Sequence, residues 1–237
     1  MNNNTHNTHT LLTPEEFIRK ADIASQNTCT TNSCAESFLN IEINDFTLEN
    51  KLIIRADFSF SRISGCAFKD INFEGTEFDF TELENVVFIR CKLRRSGFDY
   101  ARMHNVKFIE CDLDVSSFDF ASGAAYFEKC KVEHLELNHT LAELHFVDAS
   151  GEGIDFNDCP DLKLIAERCH FLRGQFYDCK ISGKLTNCCL SESVFFNCDC
   201  SDLAFVECKM RDLGITDSAG VISGKDDDDN EFDFDFE

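Results

Sequence analysis

No stretch of this 237-residue chain approaches the ~18 consecutive apolar residues of a membrane-spanning helix. Cations are also scarce. Lys and Arg number 22 against 44 Asp and Glu, a formal charge of −22. Free DNA, free RNA and anionic membrane surfaces are therefore poor direct partners, whereas a basic protein surface is a good one. Solubility alone is the plainer account of the same charge. The first ten residues are rich in Asn, Thr and His, with neither a basic stretch nor an apolar core, so they do not have the pattern of a secretory signal. There are two prolines, Pro14 and Pro160. No Gly-rich phosphate loop and no nucleophile elbow is present, and the seven histidines are scattered without a ligand motif. No catalytic residue and no cofactor site is expected.

What the chain does contain is a period of five. From residue 38 to 118 every fifth side chain is large and apolar, seventeen in succession: Phe38, Ile43, Leu48, Ile53, Phe58, Ile63 and onward to Leu113 and Phe118. At 43% hydrophobic residues overall, chance does not produce that run. A helix repeats at 3.6 residues and a strand at 2, so neither can hold every fifth side chain on one buried face. The chain must turn between members, and each five-residue unit becomes one side of a coil.

Two positions before each central residue the side chain is usually small, as at Ala56, Ser61, Cys66, Thr76, Thr81, Cys91, Ser96 and Ala101. One large and one small inward residue per side would fill a narrow core. A longer repeat sets the number of sides. Phe58-Ser59-Phe60, Phe78-Asp79-Phe80, Phe98-Asp99-Tyr100 and Phe118-Asp119-Phe120 recur at every fourth unit, which makes four sides. The pattern predicts an all-β, square solenoid whose coils stack at the sheet spacing of ~4.8 Å.

Ala56-Asp57-Phe58-Ser59-Phe60 matches closely, and Cys111-Asp112-Leu113-Asp114-Val115 nearly, the Ala-(Asp/Asn)-Leu-X-X unit of pentapeptide-repeat proteins. The chain resembles that family from about residue 38 to 215. The resemblance implies a right-handed quadrilateral β-helix without catalytic residues. It also points to the quinolone-resistance group, which is similar to B-DNA in outline and charge and acts on DNA gyrase. This chain departs from that group in its C-terminus, which is acidic and Phe-rich where the group carries an apolar dimerising segment. A homodimer is thus an open expectation.

Residues 1–35 read as a disordered leader to about residue 12 followed by a short helix. Thr13 is its cap, Pro14 takes its first position and Glu16 completes a capping box. The helix is expected to cover the open first coil. Residues 36–216 form the β-helix. Its first coil is rough, with Phe46 and Lys51 where small residues belong. The frame slips after Phe118 and again near residue 140, which predicts loops at 122–125 and 149–153 and a kink at Pro160. Residues 217–237 form an acidic tail, expected to be disordered at its four-aspartate run. Its Phe232, Phe234 and Phe236 alternate with Asp233 and Asp235 as in a strand, so the segment either folds back over the last coil or serves as a free ligand for another protein.

Of the 14 cysteines, nine fall at the small inward position, among them Cys66, Cys91, Cys111 and Cys130. They read as small core hydrophobes, and so many free thiols point to the cytoplasm. Cys188-Cys189 and Cys198-X-Cys200 invite a zinc reading. Cys188, Cys198 and Cys208 lie ten apart, however, on opposite sides of a four-sided coil, so they cannot converge as a tetrahedron. No metal is expected.

The four-unit repeat makes two surface columns: carboxylates at Asp79, Asp99 and Asp119, and rings at Phe60, Phe80, Tyr100 and Phe120. One reading makes them a recognition stripe, in which acids imitate a phosphate backbone and rings anchor a partner. The other makes them a ladder that stabilises the coils. A basic cluster at Arg90, Lys92, Arg94, Arg95 and Arg102 is expected to form ion pairs between coils, Arg90 toward Glu110 and Lys92 toward Asp112. The functional expectation is a non-enzymatic binding protein, a DNA mimic that engages gyrase or another basic DNA-binding protein. The alternative is a secreted bacterial effector or scaffold that docks a protein through the ladder or through Phe232, Phe234 and Phe236.

Overall fold

The computed structural model describes residues 9–26, 37–225 and 231–236. Between residues 37 and 217 the chain winds through about nine turns of parallel strands. Up to Phe120 each side of a turn ends at a residue in the left-handed region. Asn40, Asp45, Asn50 and Arg55 form the first four such corners, with φ of 55–56°. Asn, Asp and Gly reach this region at least cost, and they occupy many corners. Backbone hydrogen bonds run along the axis from turn to turn, as in Phe58 N–Glu77 O at 2.7 Å and Phe78 N–Gly97 O at 2.7 Å.

The central residues stack directly over one another inside. Phe58, Phe78, Phe98 and Phe118 form one ladder, with ring centroids 5.0, 4.8 and 4.6 Å apart. Phe68, Phe88, Phe108, Phe127 and Phe146 form another. The two ladders meet edge-on, as at Phe98 and Phe108, 5.6 Å apart at 88°. Each fully buried ring contributes about 1.5–3 kcal/mol of transfer free energy.

The small inward position has a second duty that composition does not reveal. Its side chain donates to a carbonyl one turn back: Ser61 Oγ to Phe38 O (3.0 Å), Thr76 Oγ1 to Ile53 O (2.7 Å), Cys91 Sγ to Phe68 O (3.4 Å) and Cys111 Sγ to Phe88 O (3.4 Å). Cysteine thus acts as a donor as well as a filler. Burial pushes the Cys66 thiol up to about 11 and that of Cys200 up to about 12, which keeps the S–H proton in place.

The frame slips have a different outcome from the loops that the sequence predicts. Phe108 pairs with Phe127 and Phe127 with Phe146, so each of these turns is one residue shorter than those before it. The missing residue is a corner. Two short sides such as Glu82–Glu84 and Val87–Ile89 fuse into single strands, Ser122–Glu128, Leu141–Val147, Leu162–Glu167 and Lys180–Thr186. The segments at 122–125 and 149–153 are therefore largely strand, and the slips straighten the wall instead of extruding loops. Arg102–Ile109 already runs through both sides as one strand while still bearing the Asn105 corner, and Gly123 lies in the first strand that has lost that corner. Its φ is +99°, and a Cβ there would lie 1.9 Å from the carbonyl oxygen of Met103. Pro160 does sit in a turn, with Asp161, just before Leu162–Glu167.

At the N-terminus, Thr10–Leu11 pairs in parallel with Ile41–Glu42, so order begins earlier than the polar leader suggests. Residues 1–8 and 27–36 lie outside the described residues. The helix runs Pro14–Gln26, and its capping box is formed by Thr13 N–Glu16 Oε2 at 2.9 Å and Glu16 N–Thr13 Oγ1 at 3.2 Å. Phe17 is fully buried and packs on Phe38, Phe46 and Phe58, closing the first coil. The two misfits of that coil belong to this cap: Phe46 meets Phe17, and Lys51 pairs with Asp22 of the helix.

The C-terminal tail contains more structure than its composition suggests. Gly220–Lys225 packs beside Asp199–Val206 and pairs antiparallel with Glu231–Phe236. The Phe–Asp alternation has the period of a strand, and that period prevails over the charge. The aspartate run at 226–229 lies outside the described residues.

Val115 is a β-branched corner with φ of 60° and 46% of its surface exposed. Replacing Val115 with Asn should raise stability by about 1 kcal/mol, because the left-handed conformation penalises a branched side chain. Urea unfolding of the two proteins measures it, and an unchanged or lower midpoint would contradict the expectation.

Candidate partner-binding face

One of the four sides differs from the rest. Its tiers are residues 37–40, 57–60, 77–80, 97–100, 117–120, 136–139, 155–158, 175–178, 194–197 and 214–217, and not one is Lys or Arg. In the middle tiers it carries Asp57, Glu77, Asp79, Asp99, Asp119, Glu136, Asp155 and Asp158.

The rings stand at the corner of this side. Phe60, Phe80, Tyr100 and Phe120 stack 4.8, 4.6 and 4.6 Å apart with interplanar angles of 5°, 2° and 1°. His139 continues the column, 4.4 Å above Phe120. The four aromatic side chains are 43–47% exposed, and each has φ of 57–59°. Bulky residues are unusual there, since Asn or Gly would take the corner at lower cost. Stacking recovers about 0.5–1.5 kcal/mol per pair.

The carboxylates are not the free column that the sequence suggests. Asp79, Asp99 and Asp119 are half-buried, and each accepts a backbone N–H from the next turn: Asp99 N–Asp79 Oδ1 at 3.0 Å, Asp119 N–Asp99 Oδ1 at 3.0 Å and Asn138 N–Asp119 Oδ1 at 2.8 Å. Ser117 Oγ also bonds Asp99. Asn138 does the same for Asn157, at 3.1 Å, without charge. The structural duty therefore needs an amide or carboxyl oxygen, not a negative charge.

The charge is also crowded. An added Cβ on Gly97 would lie 2.6 Å from Asp79 Oδ1 and 2.8 Å from Glu77 Oε2, so the two carboxyls converge over that glycine. Burial pushes the Asp79 carboxyl up to about 6, and the negative Asp99 and Glu77 add to it. Burial likewise raises Glu77, Glu136 and Asp155. These acids, one residue before the central position and interrupted by Gly97 and Ser117, are absent from the sequence-based candidates. The repeat itself could have revealed them once the shortened turns were known.

The other sides neutralise themselves. Arg62 pairs with Glu82 (2.8 Å), Lys69 with Glu49 (2.9 Å), Arg168 with Asp148 (2.7 Å) and Arg173 with Glu192 (2.8 Å). Arg90 pairs with Asp70 at 2.7 Å, one turn back, and not with Glu110. Asp112 faces Arg94, at 4.0 Å, although Lys92 is its bridge partner. Arg95 reaches Glu74 (3.4 Å) and Arg102 reaches Glu82 (3.7 Å). A depression of about 250 Å³ at Asn105, Lys107, Tyr126 and His145 lies on the fused wall, away from the ring column. Phe232, Phe234 and Phe236 lie on the terminal hairpin beside Asp199–Val206, so the structure does not bring them to the ladder.

Stacked parallel coils with a filled core define a β-solenoid. Residues 61–137 match the family model described as Pentapeptide repeat region. With the five-residue period and the four-sided coil, that match makes this part of the solenoid a pentapeptide repeat region. No curated protein matches the chain in sequence. Among solved structures, it is similar to a trypsin-treated form of QnrB1, a plasmid-mediated fluoroquinolone resistance protein. Identity there is 16% over 76% of this chain and 90% of the other, with a TM-score of 0.45. HetL, a pentapeptide repeat protein involved in heterocyst differentiation regulation from the cyanobacterium Nostoc sp. strain PCC 7120, is 12% identical over 87% of this chain and 92% of its own, with a TM-score of 0.32.

Asp79→Asn should leave the fold intact, because the amide oxygen can still accept Asp99 N–H. A carboxyl whose folded pKa is raised contributes stability in its protonated form. That contribution is full below the unfolded value near 4 and is lost as pH rises through about 6. The wild type should thus lose about 1 kcal/mol relative to Asp79→Asn between pH 4.5 and 7, after allowance for its partial exposure to solvent. Denaturant unfolding of both proteins across that range measures the difference, and parallel pH profiles would refute it.

Proposed function

We propose that this chain is a non-enzymatic protein-binding solenoid whose cation-free side engages a basic, DNA-binding protein. One observation carries this reading. Negative charge is retained at Asp79, Asp99 and Asp119, where the neutral Asn138 performs the same structural duty. Beside it, exposed rings occupy corners that Asn or Gly would fill at lower cost. Neither the charge nor the rings are required for the structural duty of these positions, and both suit a surface that meets a partner bearing cations and apolar groups.

DNA gyrase is the first candidate partner, on the resemblance to the quinolone-resistance group. The second reading, a scaffold or injected effector that docks through the rings or the tail, draws on the exposure of Phe60, Phe80, Tyr100 and Phe120. A supercoiling assay with added protein, with and without a fluoroquinolone, separates the two. The gyrase reading expects inhibition or drug protection at roughly micromolar protein, with an affinity that falls steeply with salt. Replacing Asp79, Asp99 and Asp119 together by Asn should weaken the effect about tenfold or more, since charge-pair couplings across interfaces commonly exceed about 1.4 kcal/mol. No effect at high concentration would exclude gyrase. Binding to another protein that survives these Asn changes but fails when Phe80 and Tyr100 become Ser would favour the scaffold.

A further inference from the structure

The acidic side has a geometry that selects among basic partners. This step rests on the reading of that side as a docking surface, and adds which shape of partner fits it. The ring column runs from Phe60 to His139 in four steps of 4.4–4.8 Å. Its rings lie flat on one another, so their faces are covered by their neighbours and solvent meets only their edges. A cation cannot settle over the inner ring faces. The column therefore offers apolar edge contact, and the adjoining Asp79, Asp99 and Asp119, with Glu77 beside the first of them and Glu136 one tier past the last, offer the charge.

A partner must then present an apolar stripe and a cationic stripe side by side, each repeating along the axis at close to the step of the rings. An extended strand repeats one face every ~6.7 Å and falls out of step after a single turn of the solenoid. An α-helix rises about 5.4 Å per turn and places residues three or four apart on one face, about 4.5–6 Å along its axis. Laid parallel to the solenoid axis, it presents about one cation and one apolar residue to each tier. About 12 residues of helix, rising about 1.5 Å each, cover the ring column.

We propose that the acidic side receives a basic amphipathic α-helix lying along the solenoid axis, its apolar stripe on the edges of Phe60, Phe80, Tyr100 and Phe120 and its cations on the flanking carboxylates. The helix belongs to the partner and need not be formed before binding, since an isolated helix of this length is marginal in water.

The test uses the full chain and a labelled peptide, about four helical turns long, of Lys and Leu arranged in two adjoining stripes at helical spacing. Its control is the same peptide with two central residues in D-configuration, equal in charge and composition but unable to form one continuous helix. Fluorescence anisotropy reads affinity, and far-UV circular dichroism reads helix gained on binding. The proposal expects the all-L peptide to bind about tenfold tighter or better and to become helical. The triple change of Asp79, Asp99 and Asp119 to Asn, and the double change of Phe80 and Tyr100 to Asn, should each weaken it at least about fivefold. Asn suits both sets of positions, so these variants should fold, which circular dichroism of the free proteins verifies. Equal affinity for the two peptides, with loss in the Asn variants, would overturn the helix proposal while leaving the acidic side as a general attractor of cations. Absence of binding, or binding indifferent to both sets of changes, would overturn the docking surface and the helix together.

Discussion

Up to Phe120 every side of the coil closes on one residue with positive φ, and the architecture depends on that corner. With it, five residues suffice for a side: two point inward, two or three face water, and the strand turns. The next turn then lies at hydrogen-bonding distance, so each central side chain sits over its counterpart one turn away. The phenylalanine ladders, the donors at the small position and the surface columns all follow from that registration. Where a corner is missing, as after Phe120 in the turn that contains Gly123, the registration survives because two sides fuse into one strand. The stack tolerates a lost corner and not a lost turn, because its hydrogen bonds run between turns.

Registration also amplifies surface chemistry. A residue type placed once per turn becomes a column, and its cost or benefit is repeated at each step. On the other sides Arg and Lys find carboxylates one turn away. On the acidic side nothing alternates. Carboxylates stand over carboxylates, half-buried and crowded, and rings stand over rings in a conformation that disfavours them. Disfavoured corners occur on other sides too, as at Val115 and Arg95, but only here do they stack as rings beside a run of carboxylates without a Lys or Arg among them.

The two ends are managed differently. The helix closes the first coil with Phe17 inserted among Phe38, Phe46 and Phe58, and Lys51 holds it from the side. At the other end a hairpin continues beside the last long strand, with acidic residues in its outer segment. Both arrangements cover strand edges that would otherwise remain unpaired, and charge on an outer strand discourages pairing between molecules.

The five-residue period was enough to specify the solenoid, its four sides and its core from 38 to 118, because inward positions in a registered stack admit few side chains. The capping box at Thr13 and Glu16 was equally legible, being a local motif with a local cause. The tertiary structure alone decided what the slips meant. One missing residue can be absorbed as a loop or as a straightened wall, and the stacked turns show the wall, with Gly123 close against the Met103 carbonyl. It also decided that Lys51 answers to Asp22, that Arg90 turns back to Asp70, and that the aspartate column accepts backbone N–H groups while carrying its charge. Sequence spacing places side chains in a column. Which neighbour each one bonds depends on rotamers and burial, and these exist only once the turns are stacked.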